Sequence, residues 1–255
     1  MDLITVASSG NVMITNAAVS PSGRLFGNFP RWTNVPTPSV GEATADGGFT
    51  PFPGGDWNEW RPGLSPDGRF VCTHGLHADR ENNLWAIDDA SPHHGPMVEG
   101  GAKLVRIDLA NNRVSRAYPL GPDLAPPGAV LSHMRVDKQF LYVTDSGFGA
   151  IVVIDRETGR GHRTLEGARC SRADTSIVPV IHGQPMRHPD GKVPVIQSDQ
   201  RPDRHPRRRG RAHPSGYRDH VGRERNALFF RTHRGRRPDA RAVNRPYEVF
   251  KITLP

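Results

Sequence analysis

The sequence predicts an all-β fold assembled from repeated units of short strands, and three observations carry that prediction. First, LHADRENNLWAID (Leu76 to Asp88) and MRVDKQFLYVTD (Met134 to Asp145) are near-copies. Each runs from a polar turn through apolar, β-branched or aromatic residues to an Asp. Second, GAKLVRIDLANNRVSRAYPL (Gly101 to Leu120) and GAIVVIDRETGRGHRTLEG (Gly149 to Gly167) both read as hairpins. Third, 27 Gly and 24 Pro favour many turns, and no extended stretch shows helical i, i+3, i+4, i+7 apolar spacing.

The interval from Asp88 to Asp145, like that from Asp108 to Asp155, is roughly 50 residues and holds about four strands. That period is the signature of β-propeller blades, since a sandwich has strands of this length but no such self-similarity.

Taken in order, Val19–Pro30 is a SerProSerGly turn followed by an apolar strand, with Pro presetting one turn position and Gly supplying the positive φ. Thr33–Thr50 reads as a Pro/Gly/Thr-rich connector. Phe49–Trp60 (FTPFPGGDWNEW) reads as a loop laid over an apolar surface, because rings that large rarely stay in water. Leu64–Cys72 (LSPDGRFVC) repeats the SerProXaaGlyArg-strand pattern of the N-terminus. The two repeat pairs follow, and Ser176–Ser198 continues in the same style.

The pattern then breaks. Residues 200–245 hold 15 Arg and no Lys against four acids, a local charge of +11, while the remainder carries 19 basic and 22 acidic side chains. The body is therefore mildly acidic, and the net charge of +8 belongs to one segment. Expected units are blades over 1–199, an irregular or disordered Arg/Pro-rich segment over 200–225, and a remnant with a closing strand over 226–255.

Cys72 reads as a small buried hydrophobe, and its pairing with Cys170 is left open. No apolar run is long enough to span a membrane. The N-terminus lacks the basic and apolar regions of a signal peptide, so either the protein is cytoplasmic or this is not the precursor's own start. Specific nucleic-acid binding is not expected, since only Tyr217 offers a ring within the Arg-rich run. GXSXG, CXXC, HEXXH and GXXXXGK[ST] are all absent, which disfavours nucleophilic hydrolase and NTPase chemistry.

The run FVCTHGLHADRENNLWAIDDASP, then GAKLVRIDLANNRVSRAYPL, then LYVTDSGFGAIVVIDRETGRGHRTLEG resembles bacterial members of the major royal jelly protein/Yellow family, the group related to L-dopachrome tautomerase. ProSerGlyArgLeuPhe, GlnProMetArgHisProAspGlyLys and the late ProTyrGluValPheLysIle extend the likeness. The resemblance implies a six-bladed β-propeller. It also implies that this one is incomplete, with about four blades plus a closing C-terminal strand. A frame disruption or internal deletion after about residue 199 is the simplest account; a disordered linker and a basic tail are the alternatives. It further implies a small ligand, aromatic or amine, at the channel mouth, tautomerase-type activity in intact relatives, and an extracellular or periplasmic location. Oligomeric state is left open. The related gluconolactonase/senescence-marker propellers supply the alternative, a Ca²⁺-dependent lactonase; an inactive fragment is the third reading.

Candidate site residues follow from the propeller geometry. Asp88, Asp145 and Asp199, with Asn83, would offer oxygen ligands at the channel mouth, and Asp145 and Asn83 are the candidate Ca²⁺ ligands. For Asp88, Asp145, Asp108 and Asp155 the competing role is capping a turn by accepting backbone N–H groups. His74, His77 and His133, at the entries to the repeats, are the acid–base candidates. Trp57 and Trp60, with Trp32, are candidates to roof a cavity, whereas Trp85 reads as core. His93 and His94 read as exposed, and Glu42 and Glu59 as solvated.

Overall fold

A computed structural model describes residues 4–10, 12–34, 37–171, 178, 180–181, 184–185, 226–231 and 248–253. Asp199 and the Arg-rich segment 200–225 lie outside the described residues. Three four-stranded antiparallel sheets follow one another along the chain. The first contains β2 (Asn16–Val19), β3 (Leu25–Asn28), β4 (Val40–Ala43) and β5 (Phe49–Pro51). The second contains β6 (Thr73–Ala78), β7 (Asn83–Asp88), β8 (Lys103–Asp108) and β9 (Arg113–Pro119). The third contains β10 (Leu131–Val136), β11 (Phe140–Asp145), β12 (Ala150–Asp155) and β13 (Gly161–Thr164). Each is a meander in sequence order. The first strands, β2, β6 and β10, neighbour one another across blades, so they are the inner strands of an incomplete β-propeller.

The strand β1 (Ile4–Ser8) belongs to none of these. It pairs antiparallel with β17 (Glu248–Thr253), which pairs with β16 (Asn226–Arg231), so the two ends of the chain share one sheet. A further short pair joins β14 (Val180–Ile181) to β15 (Gln184–Pro185).

Blade packing explains why β7 reads as an almost unbroken apolar run. Leu84 and Ala86 face the first blade, among Phe26, Val40, Phe52, Phe70 and Leu76. Trp85 and Ile87 face the third blade, among Leu104, Leu131, Met134, Leu141, Val152 and Ile154. Both faces of the second blade are covered, so the period of two sorts apolar residues between two cores instead of between core and water.

Asx turns recur from blade to blade and set the strand register. Asp79 accepts from Glu81 N, Asn83 N and Trp85 Nε1, and its counterpart Asp137 accepts from Gln139 N, Phe140 N and the Tyr142 hydroxyl. Asp108 accepts from Ala110 N and the Asn111 amide, as Asp155 does from Glu157 N and Thr158 N.

Salt-bridged arginines tie the blades together. Arg24 forks onto Glu42 at 2.6 and 2.8 Å and donates to Leu109 O in the β8–β9 turn. Arg156 pairs with Glu81 at 2.8 Å, and Arg116 and Tyr118 both donate to the Arg156 carbonyl.

Three sequence expectations need correction. The connector Thr33–Thr50 contains β4 and the start of β5. Gly41 and Glu42 interrupt the apolar alternation there, because Gly41 lies under Phe49 and Phe29 while Glu42 bonds Arg24 and is not simply solvated. The loop expected over Phe49–Trp60 likewise begins as β5. Conversely, Phe70–Cys72 is buried but is not a strand, since the N–H groups of Val71 and Cys72 donate to the Asp88 carboxylate instead of a neighbouring strand.

One close approach offers a direct check on the inner-strand packing. A Cβ on Gly75, in β6, would lie 2.3 Å from the Ser132 carbonyl oxygen in β10. Gly75→Ala is expected to push the second and third blades apart and lower stability by about 1–3 kcal/mol, as overpacking does. A urea-denaturation midpoint equal to the wild type would contradict this close contact.

Candidate functional site

The strands β7 and β11 end at the same end of the propeller, where β6 and β10 begin, and the aspartates that close them fix this end. Asp88 is fully buried and accepts from Val71 N at 2.6 Å, Cys72 N at 2.8 Å and Ala90 N at 3.0 Å, with Lys103 Nζ at 3.2 Å. Asp145 repeats the arrangement, accepting from Val130 N and Gly147 N and pairing with Arg163 at 2.8 Å. In the first blade the equivalent position is Asn28, which donates to Thr73 O and Thr15 Oγ1. Both aspartates thus hold loops in place, and neither lines the cavity that opens beside them. Their oxygens are engaged by backbone N–H groups and a cation, which is the turn-capping role and not that of an exposed ligand.

That cavity, of about 280 Å³, is lined by Trp32, His74, Asp89, Ser91, His94 and Met97, together with residues of the 128–130 segment. Asp89 follows Asp88 at the strand end, and neighbouring side chains in extended backbone point opposite ways, so one carboxylate turns inward and the other to the cavity. Asp89 accepts from Ser91 N at 3.1 Å and lies 3.5 Å from His74 Nδ1. Burial, foremost, and the adjacent Asp88 charge push its carboxyl up to about 7; the Ser91 N–H and the Cys72 thiol act in the opposite direction. His74 Nδ1 also lies 3.1 Å from the Leu131 carbonyl, which can only accept, so this nitrogen carries a proton.

The wall opposite is aromatic. The Trp32 ring meets His74 edge-on at 4.9 Å and stacks on His94 at 4.3 Å. The His93–His94 strap is tied down by His93 N donating to Arg31 O at 2.8 Å. Ala90, His93 and His94 all take positive φ, an uncommon state for residues with a Cβ, and they cluster on this one loop.

Of the candidates named from sequence, His74 and Trp32 line the cavity, and His94 is exposed beside them as expected. His77 and His133 do not line it. Trp60 is buried between Val71 and Ala90, with its Nε1 bonded to Leu64 O, and so is packing and not a roof. Trp57 is half-buried and lines a different groove. Asn83 opens β7, whereas Asp88 closes it, so some 16 Å of strand separates the two. Asn83 bonds Asp79 instead, and it cannot share a metal with Asp88 or Asp145. Among the described residues no group of three or more His, Cys, Asp or Glu could hold a metal ion. Cys72 is a buried free thiol and Cys170 an exposed one; burial pushes the Cys72 thiol up.

Sequence reasoning missed Asp89, although the AspAsp doublet at a strand end was its signal. It also missed the 128–130 wall, because ProProGlyAlaVal carries no chemistry of its own and is placed by Asp145 and Ser146 at the end of β11.

An incomplete propeller with a partly enclosed aromatic and acid-lined cavity at its strand ends is the class these features define. The major royal jelly protein family profile matches residues 71–205, more than half of the chain, and the chain belongs to that family. No curated protein sequence matches it. Among solved structures, it is similar to YCF48 bound to D1 peptide, at 11% identity over 63% of this chain and 42% of the other, with a TM-score of 0.40. A protein of unknown function from Bacteroides caccae matches at 12% identity over 57% and 43%, TM-score 0.38. A virginiamycin B lyase from Staphylococcus aureus, with quinupristin, matches at 15% over 64% and 58%, TM-score 0.32. The chain spans 42% to 58% of the length of these structures.

Proposed function

We propose that this Yellow-like propeller binds a small aromatic amine in the Trp32–His74–Asp89 cavity, with His74 and Asp89 placed to move a proton on the bound molecule, as a tautomerase requires. The observation that carries the reading is Asp89, a buried carboxylate that lines a cavity beside an aromatic wall. A protonated amine entering there meets a carboxylate in a poorly solvated site and an indole face that favours cations. The cavity volume suits a single-ring ligand. The incoming positive charge lowers the Asp89 carboxyl, so binding near neutral pH releases a proton.

The Ca²⁺-dependent lactonase reading has less support. It needs several oxygen ligands converging, whereas Asp88 and Asp145 are engaged by their own loops and Asn83 sits at the far end of its strand.

Titration with tyramine, followed by tryptophan fluorescence, tests the proposal. Saturable quenching is expected in the wild type, with affinity reduced about tenfold or more in Asp89→Asn, the scale of losing one charge-assisted contact. Equal affinity in the two proteins would remove the basis of the reading. A conversion assay on a dopachrome-type substrate separates binding from catalysis, since His74→Gln should abolish turnover while leaving tyramine affinity within a few-fold.

A further inference from the structure

A second groove, of about 430 Å³, lies at the opposite end of the second blade, between Pro53–Trp57 after β5 and Asn111–Val114 of the β8–β9 hairpin. Its end is fixed by the register, since Asp108 at the end of β8 pairs with Asn83 at the start of β7. From this groove we infer a binding site for an acidic sugar, a saccharide unit bearing a carboxylate.

Its two walls come from different blades and are held together from beneath. Arg24, in the first blade, is fixed by its fork onto Glu42 and donates to Leu109 O at the root of the hairpin. Such a groove is formed before any ligand arrives, which lowers the ordering cost of binding.

Its chemistry matches a sugar acid. Trp57 is half-buried, packed against Phe70 at a centroid distance of 5.0 Å, and lines the groove, so it offers apolar surface for the C–H face of a pyranose. Asn111 gives its Nδ2 to Asp108, leaving Oδ1 to accept from a hydroxyl, and Asn112 adds a second side-chain amide. Gly54 and Gly55 have open space where a side chain would stand, so a ligand can approach the backbone there.

Charge narrows the class. Arg113 is exposed, and among the described residues its guanidinium has no carboxylate partner. Asp108, its register partner, is engaged with Ala110 N and Asn111, and Asp56, in the segment that forms the other wall, is engaged with Arg69 at 2.8 Å. A planar guanidinium facing a polar groove selects a carboxylate, which it can grip in a fork.

Digalacturonate is the probe, with maltose as the neutral comparison, and binding is read by calorimetry. Wild-type protein is expected to bind digalacturonate saturably and more tightly than maltose. In Arg113→Gln the preference for the acidic sugar should fall about tenfold, while Asp89→Asn, at the other end of the blade, should leave it unchanged. Thermal melting first establishes that each variant keeps the wild-type transition. No saturable binding, equal binding in Arg113→Gln, or loss of binding in Asp89→Asn would each overturn the assignment.

Discussion

Asp88→Ala is expected to lower stability by about 3–5 kcal/mol, the range found when one partner of a buried ion pair is removed. The carboxylate is fully buried; its loss strands three backbone N–H groups and leaves the Lys103 ammonium, still bonded to Gly101 O, without a counter-charge. The Lys103 side chain is 8% exposed, so water can do little to replace the partner it loses. Asp145→Ala removes the same kind of anchor but should cost less. Arg163 keeps its bonds to Leu124 O and to Glu166, whose carboxylate leaves it a counter-charge. Guanidinium denaturation of the two variants measures both losses. An Asp88→Ala midpoint within error of the wild type would mean that the strand end is held by packing alone.

The next largest effect is on how stability responds to pH, and Asp89 sets its sign. In the unfolded chain this carboxyl titrates near the ordinary value of about 3.9, whereas in the fold burial pushes it up to about 7. Between those values the folded protein holds a proton that the unfolded chain has released. Stability from this group is therefore full below about pH 4, falls as pH rises, and levels off above about 7. Asp89→Asn should flatten that decline and leave the variant more stable than the wild type at pH 8, by something on the order of 2–4 kcal/mol. The turn aspartates act in another window. The Asn111 amide on Asp108, the Phe140 N–H on Asp137 and the Thr158 N–H on Asp155 hold those carboxyls below the usual range. Their contribution is present above the ordinary value and lost in stronger acid, so the difference between variant and wild type isolates Asp89. Parallel stability–pH curves for the two proteins would show that the carboxyl titrates normally.

The fold was legible where chemistry repeats along the chain. The Leu76–Asp88 and Met134–Asp145 copies became β6–β7 and β10–β11, and their hairpins became the outer strands of the same blades. The first blade was harder to read, because β4 is ValGlyGluAla: its glycine answers to two phenylalanine rings and its glutamate to an arginine distant in sequence. The candidate site was legible in outline only. Strand-end aspartates mark the right end of the molecule, but a sequence does not say which residue of an AspAsp pair turns inward. Asn83 misled for a related reason: it belongs to the same repeat as Asp88, yet repeat membership carries no information about which end of a strand a residue occupies. Asp88 and Ser91 sit beside Asp89 in the sequence, but Trp32 and the 128–130 segment, which enclose it, lie tens of residues away and meet it only through blade packing.

The pairing of Ile4 with Lys251, and of Ser8 with Glu248, has a bearing on biosynthesis. During translation β1 emerges some 240 residues ahead of its partner strand, since Ser8 pairs with Glu248. For that whole interval the nascent chain carries an unmated edge, which chaperones must shield or a neighbouring polypeptide can capture. The internal blades, built from adjacent segments, can form while synthesis continues. The joining of β1 to β17 must therefore follow blade formation, and the yield of native protein should depend on how long the early strand waits.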